Sequence, residues 1–330
     1  MLRLVRAARK RFSVALRRRR EPHVLVLLYH RIAAADTPDP WGLCVGQSRF
    51  REHLEVLQRM ATVIPLRHVG DLRNRDRGKR VVALSFDDGY LDNLHAALPL
   101  LERFGAPATF FVPTACIGRE APFWWDELAA DVLSPEPLPR AIELSQGGFR
   151  WRWSAAEESY RGSEPRARRR LLDSLYSRLL TLEETTRDRV LEALANALGR
   201  PRPRPRGCRP MNADELRTLG ASPLVEVGAH TETHCHLASV SHEKQAAEIE
   251  GSFATIGELL GKRPESFAYP YGAFDARSVD LVRRAGFARA CTSEPGLAWH
   301  TGDVCKLPRV VVRDWDGATF ARRLRREWLP

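Results

Sequence analysis

The chain has 330 residues, of which 44% are hydrophobic and 28% charged, with a formal net charge of +11. This is the composition of a globular chain long enough for one large or two ordinary domains. The six cysteines (44, 116, 208, 235, 291 and 305) show neither paired metal spacing nor disulfide-scaffold density, and no recognition motif accompanies the positive charge. A disulfide scaffold and a nucleic-acid module are therefore not expected.

Taken in chain order, residues 1–21 form a basic leader. Arg3, Arg6, Arg9, Lys10, Arg11 and Arg17 to Arg20 break every apolar run, so no export signal is read and a cytoplasmic protein with reduced thiols is expected. The charge has two readings, a solvated surface or attraction to an anionic membrane face or acidic glycan. Residues 2–16 can form a basic amphipathic helix with Leu2, Val5, Phe12 and Leu16 on one side. The run Val24 to Leu28 is too short to span a bilayer and reads as a buried strand ending in Tyr29-His30. Ser48 is placed to cap a helix running to about Met60. A strand is expected over 81–86, a helix over 92–104 and a strand over 108–112. Residues 122–222 break this alternation and read as a mainly helical insertion. It holds Trp124-Trp125-Asp126, a helical stretch over 167–198 and the extended linker Arg200-Pro201-Arg202-Pro203-Arg204-Pro205. Strands then recur near 225–229, 266–269, 288–292 and 308–313, with helices near 242–260, 275–285 and 317–327. Strand–helix alternation over this length predicts an α/β fold with a parallel sheet, open or closed into a barrel. The parts are the leader 1–21, a first half 22–121, the insertion 122–222 and a second half 223–330.

Two strings carry chemistry. Asp87-Asp88-Gly89 ends the first-half strand Val81 to Phe86, and His230-Thr231-Glu232-Thr233-His234 ends Val225 to Ala229. Adjacent carboxylates repel unless a cation separates their roles, one ligating and the other staying ionised as a base. Histidines spaced i, i+4 lie on one side of a helical turn. One carboxylate with two imidazoles suits Zn²⁺, and also Co²⁺, Ni²⁺ or Fe²⁺. Taken singly, each string also fits a helix-capping or packing role. His236 and Cys235 are read as support and packing, and Thr231 as a residue that orients a ligand.

Together with Phe267-Ala268-Tyr269-Pro270-Tyr271-Gly272, these strings resemble the NodB-type polysaccharide deacetylases, carbohydrate esterase family four. The resemblance covers about residues 22–121 and 223–315. It implies a distorted (β/α) barrel of about seven strands. It also implies Asp88, His230 and His234 as metal ligands, Asp87 as general base, and Pro270-Tyr271-Gly272 lining the groove with the Tyr271 N–H donating to the oxyanion. Two positions depart from the family. Its arginine in the third string is Ala268 here, and Arg309 is the substitute considered. Its C-terminal catalytic histidine has no match, whereas Tyr29-His30 resembles the permuted branch that includes poly-N-acetylglucosamine deacetylases, so His30 is expected to be the acid.

The activity implied is metal-dependent removal of an N-acetyl group from an amino sugar, with Zn²⁺ the first choice of metal and Co²⁺ or Ni²⁺ next. The partner expected is an N-acetylated sugar, glycan or lipid-linked glycan, with peripheral membrane contact through the leader and no nucleic acid. Trp124, Trp125, Trp151 and Trp153 are read either as stacking platforms for sugar rings or as packing. The rival readings are an amidase or deformylase on another C–N bond and an inactive glycan-binding protein.

Overall fold

A computed structural model describes residues 21–33, 39–69, 80–154, 165–205 and 207–328. The basic leader thus lies outside the described residues, apart from Glu21. Contacts divide the chain into two compact units, one of residues 1–117 with 211–330 and one of residues 118–210.

The first unit is built on seven parallel strands. They are β1 (His23–Tyr29), β5 (Val81–Phe86), β6 (Ala108–Val112), β9 (Val225–Ala229), β10 (Ser266–Ala268), β11 (Arg289–Cys291) and β13 (Val310–Val311). Their order is β11-β10-β9-β6-β5-β1, with β13 on the other side of β1. Leu307, just before β13, bridges Cys291 of β11 in parallel, so the sheet curls back on itself as a distorted barrel. The short β4 (Thr62–Val63) and β12 (Ala298–Trp299) extend the sheet, and β2 (Arg31–Ala33) pairs with β3 (Cys44–Gly46) beside it.

Strands β5 and β6, and β1 beyond His23, are buried on both faces, which is why they read as continuous apolar runs. Leu25, Leu27 and Tyr29 of β1 join a large core beneath the helices, with Phe50, Leu54 and Phe320. Val24 and Val26 join a second cluster with Ala83, Phe111, Ala268, Cys291 and Leu307. Gly228 is required where β9 passes β6, because a Cβ there would lie 2.7 Å from the Phe111 ring.

The helices of this unit are α1 (Gln47–Met60), α2 (Leu98–Phe104), α6 (Ala213–Gly220), α7 (His242–Leu260), α8 (Ala276–Ala285) and α9 (Gly317–Trp328). Ser48 is not the cap of α1: the cap lies two residues earlier, at Gly46, with no side-chain cap bond. A π-turn over Asn93–Ala97 leads into α2. Residues 211–222, which the sequence assigns to the insertion, belong with the barrel unit. Met211 donates to the Gly89 carbonyl at 3.0 Å, and Leu216 and Leu219 enter the large core. Among the described residues no helix is long and apolar enough to cross a membrane.

The second unit holds α3 (Trp124–Leu133), α4 (Pro165–Leu179), α5 (Glu184–Ala197) and the antiparallel hairpin β7 (Ala141–Gln146) to β8 (Phe149–Ser154). The Pro/Arg stretch after α5 is extended and is held by ion pairs. Arg200 bonds to Asp131 and Glu136, and Arg202 to Glu127.

Candidate active site

Every chemistry-bearing string sits where a barrel strand ends. Asp87-Asp88 follow β5, His30 follows β1, His230 follows β9 and Pro270-Tyr271-Gly272 follow β10. Parallel strands present their C-terminal ends together, so residues distant in sequence converge on one face.

Asp88, His230 and His234 are all buried, and one ligand atom from each lies within 4.8 Å of the other two. His234 Nε2 is 3.1 Å from Asp88 Oδ1, and His230 Nε2 is 3.7 Å from it. His230 Nδ1 lies 2.7 Å from the Ala268 carbonyl, a bond that only an N–H can make, so Nε2 keeps its lone pair for a cation. Burial pushes the His230 imidazole down to about 4 despite Asp87, which keeps it neutral as a ligand must be. Burial pushes the Asp88 carboxyl up against the pull of His30 and His230, with Asp87 adding to the rise. A buried carboxylate beside the neutral His230 and the His234 ring is a poor arrangement without a cation and a suitable one with it, so the donor set fits a divalent metal.

Asp87 has a different environment. Burial alone would raise its pKa, but the Arg309 guanidinium and His230 outweigh burial and hold it at about 2. Arg309 is fully buried and bidentate, with Nη1 2.7 Å from Oδ1 and Nη2 2.7 Å from Oδ2. Its own plane is fixed by Nε donating to the Thr292 carbonyl at 2.8 Å and Nη1 to Ser85 Oγ at 3.3 Å. The position left small at Ala268 and the arginine arriving from 309 belong to the same neighbourhood: Ala268, Cys291 and Leu307 share one cluster, and Arg309 lies over Phe111 of that cluster.

His30 is half-buried on this face. Burial lowers its pKa, while Asp88 and then Asp87 pull it back up, which places the ring within electrostatic reach of both. Its backbone is pinned: Asn93 Nδ2 donates to the His30 carbonyl at 3.1 Å, and Asp87 N–H to the Tyr29 carbonyl at 3.1 Å. The Tyr271 ring packs edge-on against His234 with centroids 4.6 Å apart and stacks on His236 at 6.1 Å. Gly272 has φ +68°, and a Cβ there would lie 2.9 Å from Ser293 Cβ, so both conformation and space demand glycine. Thr231 is brought to the site, but its buried hydroxyl has no hydrogen-bond partner among the described residues.

Backbone strain gathers here. Among the described residues the non-glycine positions with positive φ are Asp88 (74°), Thr231 (63°), His234 (57°) and Tyr271 (59°). Such conformations cost on the order of 1–3 kcal/mol each and persist where the surroundings over-determine them.

One residue that does so escaped the sequence reading. Glu248, on α7, is fully buried, and its carboxylate accepts from the Glu232 N–H at 2.9 Å, the Thr233 N–H at 2.8 Å and the Thr233 hydroxyl at 2.7 Å. Lys244 completes its shell at 2.9 Å. Burial works against its charge, but these donors prevail and its pKa is lowered. Glu248 thereby staples the turn between His230 and His234. We expect Glu248→Ala to weaken metal binding by about 10–100-fold, as losses of ligand-orienting groups do. Equilibrium dialysis against Zn²⁺ measures this, and unchanged affinity would remove Glu248 from the site.

A parallel barrel that gathers Asp88, His230 and His234 beside an ionised carboxylate at its C-terminal face is an arrangement suited to an α/β-barrel hydrolase. The polysaccharide deacetylase family model matches residues 74–136 and 192–290. YxkH of Bacillus subtilis, which bears the name of the same family, is 27% identical over 291 residues, covering 87% of this chain and 70% of its own. Among solved structures, the Streptococcus pyogenes deacetylase PplD in complex with acetate superposes with a TM-score of 0.58 at 15% identity, covering 94% of this chain and 100% of that one. IcaB from Ammonifex degensii gives 0.57 at 18% identity, over 92% and 97%. The chain carries a polysaccharide deacetylase domain over the matched segments and is a deacetylase hydrolase.

Proposed function

We propose that this deacetylase is metal-dependent, with Asp88, His230 and His234 holding the ion, Asp87 as base and His30 as acid. The observation that carries this reading is the pairing of opposite environments on adjacent residues. Asp88 is buried between two imidazoles, whereas Asp87 is paired with Arg309 and kept ionised. A divalent metal, Zn²⁺ first and Co²⁺ or Ni²⁺ next, supplies Lewis acidity to the acetyl carbonyl and lowers the pKa of water.

The chain's own groups do the rest. Asp87, held by two parallel bonds from Arg309, takes the proton from the attacking water. The water oxygen bonds to the acetyl carbon, and the Tyr271 N–H is the donor we assign to the developing oxyanion. His30 gives a proton to the nitrogen as the C–N bond breaks, because an amide anion is a poor leaving group. Acetate and a free amino sugar result. The high positive charge of residues 1–21 supports a glycan or lipid-linked glycan as substrate, met at an anionic membrane face.

The test is acetate release from N-acetylated sugar oligomers by intact protein, before and after chelation. Activity should vanish with the metal and return on adding Zn²⁺, Co²⁺ or Ni²⁺. Full activity in protein shown by elemental analysis to be metal-free would sink the metal dependence.

A further inference from the structure

His30 lies between β1, which ends at Tyr29, and β2, which begins at Arg31, and it belongs to neither ladder. A group that delivers a proton must be held to within about 0.5 Å of its productive place. Something other than sheet pairing therefore has to hold this residue.

Two adjacent side chains do so. Asn93 is fully buried, and its Nδ2 donates to the His30 carbonyl and to the Tyr90 carbonyl, each at 3.1 Å. Its Oδ1 meets no partner among the described residues, so the amide is placed by what it donates. Asp92 works on the other side of His30. Its Oδ1 accepts from the Ile32 N–H at 3.2 Å, and its Oδ2 from Arg31 Nε at 2.8 Å. Arg31 is only 4% exposed and lies over the Tyr90 ring at 4.8 Å, which fixes its guanidinium in turn. With the Asp87 N–H on the Tyr29 carbonyl, the backbone on both sides of His30 is tied to the segment 87–93.

This clamp is unfavourable taken by itself. Burial pushes the Asp92 carboxyl up to about 6, against the pull of Arg31. The chain also leaves the α-helical path at the clamp, in the π-turn over Asn93–Ala97. Turns of that kind are rare and occur frequently at functional sites. Closing the sheet does not require either feature, because β1 and β5 already pair from Leu25 with Val82 through Tyr29 with Phe86. Among the described residues no hydrogen bond joins Asp92 or Asn93 to the side chains of Asp87, Asp88, His230 or His234.

We infer that Asp92 and Asn93 are positioning residues for His30, acting on the reaction through the place at which they hold that ring. The inference rests on the reading of His30 as the acid.

The test is a double-mutant cycle on zinc-loaded intact protein, read as acetate release from a tetramer of N-acetylglucosamine. Asn93→Ala and Asp92→Asn should each lower kcat by about 10- to 100-fold, the scale on which a misplaced group costs rate. KM and Zn²⁺ affinity should stay near the wild-type values. Asp92→Asn keeps the shape of the side chain and carries the test should Asn93→Ala fail to fold. In the His30→Ala background the same substitutions should lower the remaining rate by less than about twofold, because no ring is left to place. A structural role would lower the rate equally in both backgrounds, and that result would overturn the proposal. A fully active His30→Ala strikes the acid reading, and the clamp with it. A His30→Ala that loses turnover, beside clamp variants with wild-type kcat, strikes the clamp alone.

Discussion

Replacing Arg309 by Met is expected to cost about 3–5 kcal/mol of stability, the penalty for stranding one partner of a buried ion pair. It should also lower kcat/KM at pH 7 by about 100- to 10,000-fold, the span of a general base's contribution. The two effects share one cause. Burial is the largest influence on Asp87 and pushes its pKa up, and Arg309 is the foremost group that reverses this and holds it at about 2. In wild type the folded value lies below the ordinary carboxylate value of 3.8, so the pair stabilises the fold above about pH 4. That contribution fades as pH falls through 2. Without Arg309 burial dominates and the folded value rises above the unfolded one. Asp87 then favours the fold only while protonated, and that contribution is lost as pH rises through the new value. The gap in Tm between wild type and Arg309→Met should therefore be widest at neutral pH and shrink in acid, while the acid limb of the kcat/KM profile moves to higher pH. Arg309→Lys restores a charge but not two parallel bonds, so partial recovery is expected. Thermal melts from pH 3 to 8 and a pH–rate profile check both. A profile unmoved in Arg309→Met would show that something else holds Asp87 ionised.

The barrel and most of the candidate site were legible because their signals are local. Apolar runs such as 81–86 and 225–229 announce buried strands, and Asp87-Asp88 and His230 to His234 stand at their ends. Arg309 was legible only through an absence, the Ala268 that leaves Asp87 without the family's partner. Its two bonds depend on a chain separation of 222 residues that no pattern expresses. Glu248 was illegible for a different reason. It sits on a helix otherwise rich in exposed charge, Glu243, Lys244 and Glu250 among them, and only the turn at 232–233 makes it buried. The hairpin 141–154 carried a readable signal that the expectation of a helical insertion passed over. Ile142 and Leu144 alternate with exposed residues before Gly147-Gly148, and Phe149 and Trp153 alternate after them. The four left-handed non-glycine residues among those described could not be foreseen, since positive φ is uncommon for any L side chain and only the assembled site holds them there.

His30→Ala should keep the metal and lose turnover, by about 100- to 10,000-fold in kcat. The reasoning starts from what His30 touches and what it does not. It is not one of the three clustered ligands, so its loss leaves that donor set intact. Yet it titrates under the influence of Asp88 and Asp87, so it shares their face of the barrel. Burial sets the direction of its shift, below the ordinary 6.5, and the two carboxylates only reduce it. A cation held by Asp88 acts in the same direction as burial, because it opposes a second positive charge nearby. An acid must carry its proton to give it, so kcat/KM should decline on the alkaline side from a point below 6.5. In His30→Ala that limb should disappear, since the group that titrates is gone. Imidazole added in solution should return part of the lost rate, because the space of the ring is vacated while Asn93 still holds the backbone through the residue 30 carbonyl. Elemental analysis, a pH–rate profile and imidazole rescue together separate this role from a structural one. A structural histidine would change stability and leave the shape of the profile alone, and a fully active His30→Ala would move the acid elsewhere on the same rim.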